Sequence, residues 1–331
     1  MATRAAAASD TRVALAAREA LVRGNAVDAV IAGLLVAVAE SPGVLLGPLQ
    51  VLVAGAGAGL IAADGRLRQP GLGAARPRGA RSAEFIPAPA RVAVTALPAT
   101  IAAVLASFGT GTLRRLGAPA LKAAKAASPE RAAVLDAFSR RGAPALGDEA
   151  ISTALLAIAG RAAGGLLTMD DLGEVRPEIL RVEERSLTPS GWLRVPWAVD
   201  GCDGSHVQLV AAADAMGLVC IACYETVEDG IAIPELGLLA PASAEPVMHG
   251  QTRVRPGQPL PASAPFAVRT RKGLADLAVG LARAADAEEA LAGMFAKLDE
   301  VPVVTEALAG APGRSVAVVR TRESALVASS A

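Results

Sequence analysis

Residues Glu19 to Gly43 read EALVRGNAVDAVIAGLLVAVAESPG and contain the clearest folding signal in the chain. Between Thr11 and Ala39, apolar residues recur at helical spacing in two blocks, with a short polar break between them. Gly24 in that break can end the first helix. Asn25 can cap the second, and Asp28 stands three residues later, where a carboxylate supports the first turn. The pattern predicts a helix, a tight turn and a second, buried helix.

The next segment, Gly43 to Ala63, is almost entirely apolar, with Gln50 as its one strongly polar side chain. Its length would suffice for a membrane-spanning helix. However, Pro48 and the alternating glycines from Ala54 to Gly59 would break a helix, and fully covered strands show the same unbroken apolar character. We therefore expect two short buried strands joined by a glycine turn rather than a membrane span.

Composition narrows the classes of function. The 331 residues are 53% hydrophobic and 2% aromatic, with 32 basic and 32 acidic residues, and the mean hydropathy is +0.43. A chain without net charge lacks the excess of Lys and Arg that neutralises phosphates in nucleic-acid binding. Three cysteines, an odd number, do not suggest a secreted disulfide framework. Because the N-terminus also lacks the apolar centre of a signal peptide, we expect a cytoplasmic protein.

Helical and strand patterns are distributed unevenly along the chain. Helices are predicted at residues 96–108, 116–127, 129–140, 149–163, 274–285 and 287–298. Strands are predicted at residues 207–210, 218–224, 267–270 and 315–320, the first two as a hairpin, and a surface loop at residues 68–89. Thr168 is placed to cap a short helix. Helices early and strands late predict mixed α and β layers around one core.

The Glu19–Gly43 segment resembles the early signature of the γ-glutamyltransferases, a family of N-terminal-nucleophile hydrolases. Further stretches resemble later motifs of that family and keep their order. They are DGRLRQP at Asp64–Pro70, GGLLTMDDL at Gly164–Leu172 followed by RPEI at Arg176–Ile179, GSHVQLV at Gly204–Val210, and QPLPASAPFAV at Gln258–Val268. The chain is shorter than is usual in the family, and the missing part falls between Arg181 and Cys202.

The resemblance implies an α+β fold, an αββα sandwich of the N-terminal-nucleophile hydrolase type with a shortened helical region. Residues 1–331 would form a single γ-glutamyltransferase-like domain, in which residues 1–200 resemble the large subunit and residues 201–331 the small one. It also implies self-cleavage into those two subunits. The new N-terminal threonine then attacks a γ-glutamyl amide, its own terminal amine serving as the base.

The residues expected to carry this chemistry are largely replaced. Where the family has a threonine followed by Thr-His, this chain has Gly204, Ser205 and His206, so the attacking position falls on glycine. The paired serines that hold the glutamyl carboxylate fall on Pro261 and Ala262.

Two further parts of the family site are also altered. The oxyanion loop falls near Arg283 and Ala284, inside a stretch predicted as a helix, whose interior N–H groups would already be bonded. The segment that grips the substrate amine should follow Gly237–Leu239 and is absent. Arg66 matches the family's carboxylate-binding arginine.

Several candidate residues have plainer interpretations. Ser205 and His206 could form a displaced nucleophile and base, but neighbours in a strand point to opposite faces, which favours an ordinary loop serine. For Arg66, carboxylate binding and a solvated surface position are equally compatible with the sequence. His249 is expected on a surface loop.

The cysteines raise the question of a metal site. Cys202, His206, Cys220 and Cys223 approach a zinc-binding spacing. The run that contains Cys220 and Cys223 is typical of a buried strand, where residues three apart face opposite ways, so we expect core cysteines and no metal.

The sequence thus predicts a degenerate γ-glutamyltransferase-like protein without transferase or self-cleavage activity. It would retain a role in binding a small carboxylate, a γ-glutamyl-like ligand or a partner chain, without cofactor, nucleic acid or membrane. One alternative is an active amide hydrolase or acyltransferase that uses Ser205 or Cys202. Another is a non-catalytic subunit of a hetero-oligomer, and a homo-oligomer is also open.

Overall fold

The computed structural model describes residues 4–55, 57–75, 79–173, 175–182, 191–199, 201–271, 274–298, 308, 311–320 and 325–329. The helices are α1 (Thr11–Arg23), α2 (Ala26–Glu40), α3 (Leu97–Phe108), α4 (Leu113–Ala127), α5 (Pro129–Arg141), α6 (Glu149–Ala159), α7 (Met169–Gly173) and α8 (Ala287–Leu298). The strands are β1 (Ala5–Ala8), β2 (Leu49–Gly55), β3 (Gly59–Gly65), β4 (Glu178–Arg181), β5 (Trp192–Leu193), β6 (Val207–Ala213), β7 (Leu218–Glu225), β8 (Gly230–Ile233), β9 (Leu238–Pro241), β10 (Phe266–Arg271), β11 (Leu274–Ala282), β12 (Arg314–Arg320) and β13 (Ala325–Ser329).

The corner between α1 and α2 confirms the prediction from the Glu19–Gly43 segment. The Asn25 side chain accepts a hydrogen bond from the Asp28 N–H at 3.0 Å, and the Asp28 carboxylate accepts one from the Asn25 N–H at 3.1 Å. The same carboxylate accepts hydrogen bonds from the N–H and hydroxyl of Thr110 and from the Gly111 N–H. A Cβ atom on Gly24 would lie 2.3 Å from Asp28 Oδ2. This corner therefore needs glycine, a cap and a carboxylate in that order.

The larger sheet has the strand order β1-β6-β7-β2-β3-β4, and every neighbouring pair is antiparallel. Its centre contains the two strands predicted in Gly43–Ala63, so the spanning helix considered there is wrong. No helix in the described part of the chain is long and apolar enough to cross a membrane. Gln50 in β2 stands opposite Asp64 in β3 and Cys223 in β7. The predicted β6–β7 hairpin is also confirmed.

The second sheet has the order β13-β12-β11-β10-β5 and is likewise antiparallel. It corrects one prediction, because residues 274–282 form β11 rather than a helix. Leu277, Val279 and Leu281 enter one apolar cluster, and Ala275, Ala278 and Ala282 another. A strand buried on both faces is as continuously apolar as a buried helix. The helix propensity of Ala and Leu is therefore outweighed by pairing with β10 and β12.

The apolar interior consists of separate layers rather than the one core expected. One cluster lies between the sheets and joins β2, β6 and β7 to β10, β11 and β12. A second covers the outer face of the larger sheet with α1 to α6. A third covers the outer face of the smaller sheet with α8. The order of layers is thus helices, sheet, sheet, helix.

The loop predicted at residues 68–89 is half-buried or exposed over residues 79–89. At its start the prediction is wrong, since Arg68 and Gln69 are 7% and 2% exposed. Arg68 pairs with Val94 and Pro259 in isolated β-bridges, and the Gln69 amide donates to the Glu245 carbonyl at 2.8 Å. Backbone pairing with distant segments buries these two polar residues.

Candidate functional site

The residues resembling the family's reaction centre meet where the segments before β6 and β10 approach β2 and the start of α8. Gly204 is buried just before β6, and Ser263 is buried just before β10. Glu288 is the second residue of α8, which follows β11. Gln50, near the start of β2, lies on the strand face that points between the sheets, as Leu52 does. We call this set of residues, together with Arg66, Arg194, Trp197 and Cys202, the Gly204 corner.

The Gly204 position has no room for a side chain. A Cβ atom there would lie 2.5 Å from the Ala284 carbonyl oxygen, 3.3 Å from the Ala287 Cβ and 3.4 Å from the Ser263 Oγ. Its backbone is also engaged, because the Gly204 N–H donates to the Ala285 carbonyl at 3.4 Å. The position where the resemblance places a nucleophile is therefore occupied by neighbouring backbone.

The helix predicted around the oxyanion-loop position is wrong, and the expected loss of that loop stays a prediction. Arg283 and Ala284 lie in the loop between β11 and α8, not inside a helix. Arg283 has a φ of 59°, in the left-handed region, and its N–H donates to the Val207 carbonyl at 3.2 Å. An oxyanion hole needs N–H groups directed at the developing charge. At Gly204 this loop presents the Ala284 carbonyl oxygen instead.

A buried carboxylate lies beside Gly204. The Ser263 hydroxyl donates to Glu288 Oε1 at 3.2 Å, and the Ala264 N–H donates to the same oxygen. Arg194 Nη2 lies 3.7 Å from Glu288 Oε2. Ser263 and Glu288 are 2% and 5% exposed. Sequence reasoning missed this cluster; Ser263 lies within a recognised motif, but its partner is 25 residues away.

Two hydrogen bonds and a cation–π contact connect Ser263 to Arg66. The Gln50 amide donates to the Ser263 carbonyl, and the Trp197 indole N–H donates to Gln50 Oε1, each at 2.8 Å. The Arg66 guanidinium lies 5.3 Å from the centre of the Trp197 ring. Trp197 and Gln50 thus link Arg66 to Ser263.

Arg66 is already bound to a carboxylate of its own chain. Its Nε and Nη2 each donate at 3.0 Å to the two oxygens of Asp64, which is fully buried. The side chain is 12% exposed, so the interpretation as a solvated surface arginine is wrong. This bidentate fork is the geometry with which arginine recognises carboxylates. Binding of an external carboxylate by Arg66 stays a prediction.

Ser205 and His206 do not form a catalytic pair in this structure. The Ser205 hydroxyl donates to Asp203 Oδ2 at 2.9 Å, and its N–H donates to Asp203 Oδ1 at the same distance. His206 is exposed, and its carbonyl accepts a hydrogen bond from the Thr226 N–H at 3.0 Å. Ser205 is therefore engaged in a local turn with Asp203.

The cysteines are held in the thiol form. Burial raises the pKa of Cys202, and the carboxylates of Glu288 and Glu225 raise it further, while Arg66 opposes them. Burial also raises the pKa values of Cys220 and Cys223. Those two face opposite sides of β7, one toward the helices and the other between the sheets, which confirms the prediction of core cysteines. His249 is exposed as expected. Within the described ranges, no cluster of His, Cys, Asp and Glu could hold a metal ion.

Glu225, at the end of β7, is a carboxyl group whose pKa is raised into the neutral range. Burial raises its pKa to about 7. His206 lowers this pKa by a smaller amount, and the charge of Asp203 raises it slightly. The carboxyl is half-buried and stands opposite Val207, the first residue of β6. It therefore changes charge near neutral pH.

Three cavities of the molecule lie away from the Gly204 corner. Their volumes are about 220, 310 and 450 Å³, and none is lined by Gly204, Ser263 or Glu288. The first lies beside Arg68 and Asp171, the second beside Pro70 and Pro256, and the third between α1 and α4. The buried polar residues of the corner, Gln50, Ser263 and Glu288, line none of these spaces.

No protein-family model and no curated protein sequence matches the chain. Two solved structures of LmbA2991 align over 98% of this chain and 96% of theirs, at 13% identity, with TM-scores of 0.68 and 0.66. The fold is shared. A cephalosporin acylase from Bacillus halodurans aligns over 99% of this chain and 94% of its own, at 14% identity and a TM-score of 0.66. A γ-glutamyltranspeptidase from Pseudomonas nitroreducens aligns over only 53% of this chain and 66% of its own, at 19% identity and a TM-score of 0.43, too low to support an argument.

Proposed function

We propose that this chain is a divergent, shortened γ-glutamyltransferase-like protein that neither cleaves itself nor transfers γ-glutamyl groups. The fold shared with an acylase and the helix-sheet-sheet-helix order of layers support an N-terminal-nucleophile hydrolase origin. The observation that carries the loss of activity is the closed Gly204 position, where the Ala284 carbonyl fills the space of a Cβ atom.

The chemistry explains why this one position matters. Self-cleavage and amide attack both need a hydroxyl or thiol on the residue that becomes the new N-terminus, since its own amine then acts as the base. Gly204 has no such group. The nearby carbonyl of Ala284 would also repel a developing oxyanion rather than stabilise it. Nucleophile and anion stabilisation are thus lost together.

The alternative nucleophiles are less well supported. Ser205 donates its hydroxyl to Asp203 in a turn, and His206 is exposed. The raised pKa of Cys202 leaves little thiolate at neutral pH, whereas reactive cysteines have lowered pKa values. Asp203 accepts the Ser205 proton in a hydrogen bond, but the hydrogen bonds from Ser205 lower the pKa of Asp203 and make it a weak base.

The remaining role that we propose is binding of a small carboxylate at the Gly204 corner. Several groups at this corner that contact carboxylates support the proposal. They are the Ser263 hydroxyl, the Ala264 N–H, and the guanidinium groups of Arg194 and Arg66. Charge-assisted hydrogen bonds of this kind are the strong ones in proteins. Each of these groups contacts a carboxylate in this structure, although both carboxylates belong to the chain itself.

The loss of activity is tested on the purified protein. Intact-mass analysis should show a single uncut chain, and a γ-glutamyl anilide should not be turned over above the level of buffer. Variants Cys202→Ala and Ser205→Ala serve as matched controls for the alternative nucleophiles. Two fragments meeting between residues 201 and 205, or turnover abolished by either variant, would refute the proposal.

Carboxylate binding is tested separately by calorimetric titration with glutarate, using glutaramide as a neutral control of the same length. We expect heat of binding with glutarate only, weakened in Arg66→Gln. Equal responses to both compounds would exclude a carboxylate role and leave partner binding, which size-exclusion chromatography would then address.

A further inference from the structure

Glu288 occupies a set of donors that is suited to any carboxylate. Ser263 contributes a hydroxyl, Ala264 a backbone N–H and Arg194 a guanidinium, and all converge on one buried carboxyl group. Glu288 also lies in the first turn of the 12-residue helix α8, whose N-terminus favours negative charge. A hydroxyl, an amide, a cation and a helix dipole together describe an anion site rather than a single ion pair.

The fit of Glu288 to this site is incomplete. Its Oε1 accepts both hydrogen bonds, whereas its Oε2 is buried with no hydrogen-bond partner among the described residues. Arg194 lies 3.7 Å from Oε2, an ion-pair distance that is longer than a hydrogen bond. A small free carboxylate is not tied to the backbone of α8 and could orient both oxygens toward the donors.

The neighbouring residue Glu289 provides an internal comparison. It lies in the same first turn of α8 and carries the same charge, yet it is exposed. The dipole of α8 can therefore be satisfied without burying a carboxylate. Burial of Glu288 is explained by the donors of Ser263 and Ala264, which lie on the segment leading into β10.

We propose that Glu288 is a resident, displaceable carboxylate, and that an external small carboxylate binds in its place to Ser263, Ala264 and Arg194. The displaced carboxylate identifies the binding site and explains how its affinity is regulated. The class of ligand, a small carboxylate, rests on the proposed function. A ligand that must displace an internal group binds only to molecules in which that group has moved away, so its apparent affinity is the intrinsic affinity multiplied by the fraction of such molecules. Glu288 thus lowers the affinity of the site for an external carboxylate.

The experiment compares Glu288→Ala with Glu289→Ala, which makes the same change of charge one residue away. Thermal unfolding and calorimetric titration are followed with sodium acetate, with sodium chloride at equal ionic strength as the control. In Glu288→Ala we expect acetate, but not chloride, to raise the Tm by about 2 °C or more. We also expect acetate to bind at least about tenfold tighter than to the parent protein. Glu289→Ala should behave like the parent.

Two further variants keep the test decisive. In Ser263→Ala combined with Glu288→Ala, the acetate effect should fall, because one donor is gone. If Glu288→Ala does not fold, Glu288→Gln retains the shape of the side chain without its charge and should still bind acetate more tightly than the parent.

An acetate response that is equal in Glu288→Ala and Glu289→Ala, or that chloride reproduces, would overturn the inference. That outcome differs from failure of the proposed carboxylate binding, which would show as equal responses of the parent protein to glutarate and glutaramide.

Discussion

Two corners of this molecule each place a glycine beside a buried carboxylate. At the α1–α2 corner, the missing Cβ of Gly24 makes room for Asp28, and Asp28 ties the two helices to the loop at Thr110. At the Gly204 corner, the missing Cβ makes room for the Ala284 carbonyl, and the carboxylate of Glu288 fills the adjoining donors. The first glycine preserves the framework, whereas the second leaves no space for a side chain at the position that resembles the family's nucleophile.

In the proposed function, the first corner is kept while the reactive group of the second is lost, so the two features vary independently. The donors around Asp28 come from the cap and from one neighbouring loop, and they hold the helices whether or not any chemistry follows. The donors around Glu288 come from the segment before β10 and from Arg194. Substitutions at the two corners should therefore affect different properties.

The largest expected effect is at Asp28. Asp28→Ala removes an acceptor that is fully buried and binds four donors on Asn25, Thr110 and Gly111. Since hydrogen bonds to charged groups contribute about 1.5–3 kcal/mol each and do not add fully, we expect a loss of about 3 kcal/mol or more in the free energy of unfolding. Urea denaturation measures it. Asp10→Ala, which removes the half-buried cap of α1, is the control and should cost about 1 kcal/mol. Equal losses in both variants would contradict the special role of the corner.

The second prediction concerns Gly204. Gly204→Ser restores a hydroxyl, but its Cβ would lie 2.5 Å from the Ala284 carbonyl oxygen. Overpacking of this kind typically costs about 1–3 kcal/mol. We expect a destabilised protein that remains uncut and inactive toward a γ-glutamyl anilide. Self-cleavage of this variant would show instead that the site is open and lacks only its nucleophile.

A smaller effect should follow the titration of Glu225. Its pKa is raised to about 7 in the folded protein by burial, so between the unfolded value and that pH the folded state holds more protons than the unfolded state. Stability should therefore fall as the pH rises from 5 to 8. Glu225→Gln should remove this slope and be more stable than the parent at pH 8, by about 1–2 kcal/mol.

Denaturation at several pH values checks this expectation. A parent protein whose stability is unchanged from pH 5 to pH 8, or a Glu225→Gln variant with the same slope as the parent, would show that the carboxyl is solvated.

The smallest effect is expected at Ser205. Ser205→Ala removes only a hydrogen bond to Asp203 in a turn, so the free energy of unfolding should change by less than about 0.5 kcal/mol. Thermal unfolding measures the change. A decrease of several kcal/mol in the free energy of unfolding, or loss of a measurable turnover, would show that Ser205 is required for the fold or for an activity.

Local signals in the sequence were sufficient for much of the fold. The caps at Asn25 and Thr168 and the glycine turn between β2 and β3 all lie within a few residues of the element they define, and each was predicted correctly. Residues 274–282 were not, because Ala and Leu favour a helix while the alternation of Leu277, Val279 and Leu281 is a strand signal. Burial of both strand faces hid that alternation among alanines.

The candidate site was predictable only in part. The glycine at position 204 and the arginine at position 66 could be placed from motif order, but their surroundings could not. Asp64 as the partner of Arg66 lies two residues away and could have been found from the turn it forms. Glu288 as the partner of Ser263 could not, because no local rule connects an α-helix to the segment before a strand of the sheet it covers.

The amino-acid order alone determined where the chain turns, which helices are capped and that a glycine stands at the position resembling the family's nucleophile, since these depend on neighbouring residues and on side-chain identity. The tertiary structure decided whether that position is an open pocket or a closed one. Closure depends on the Ala284 carbonyl and on the Ser263–Glu288 contact, which form only when β6, β10 and α8 converge. Contacts between segments far apart in sequence have no local pattern to predict them.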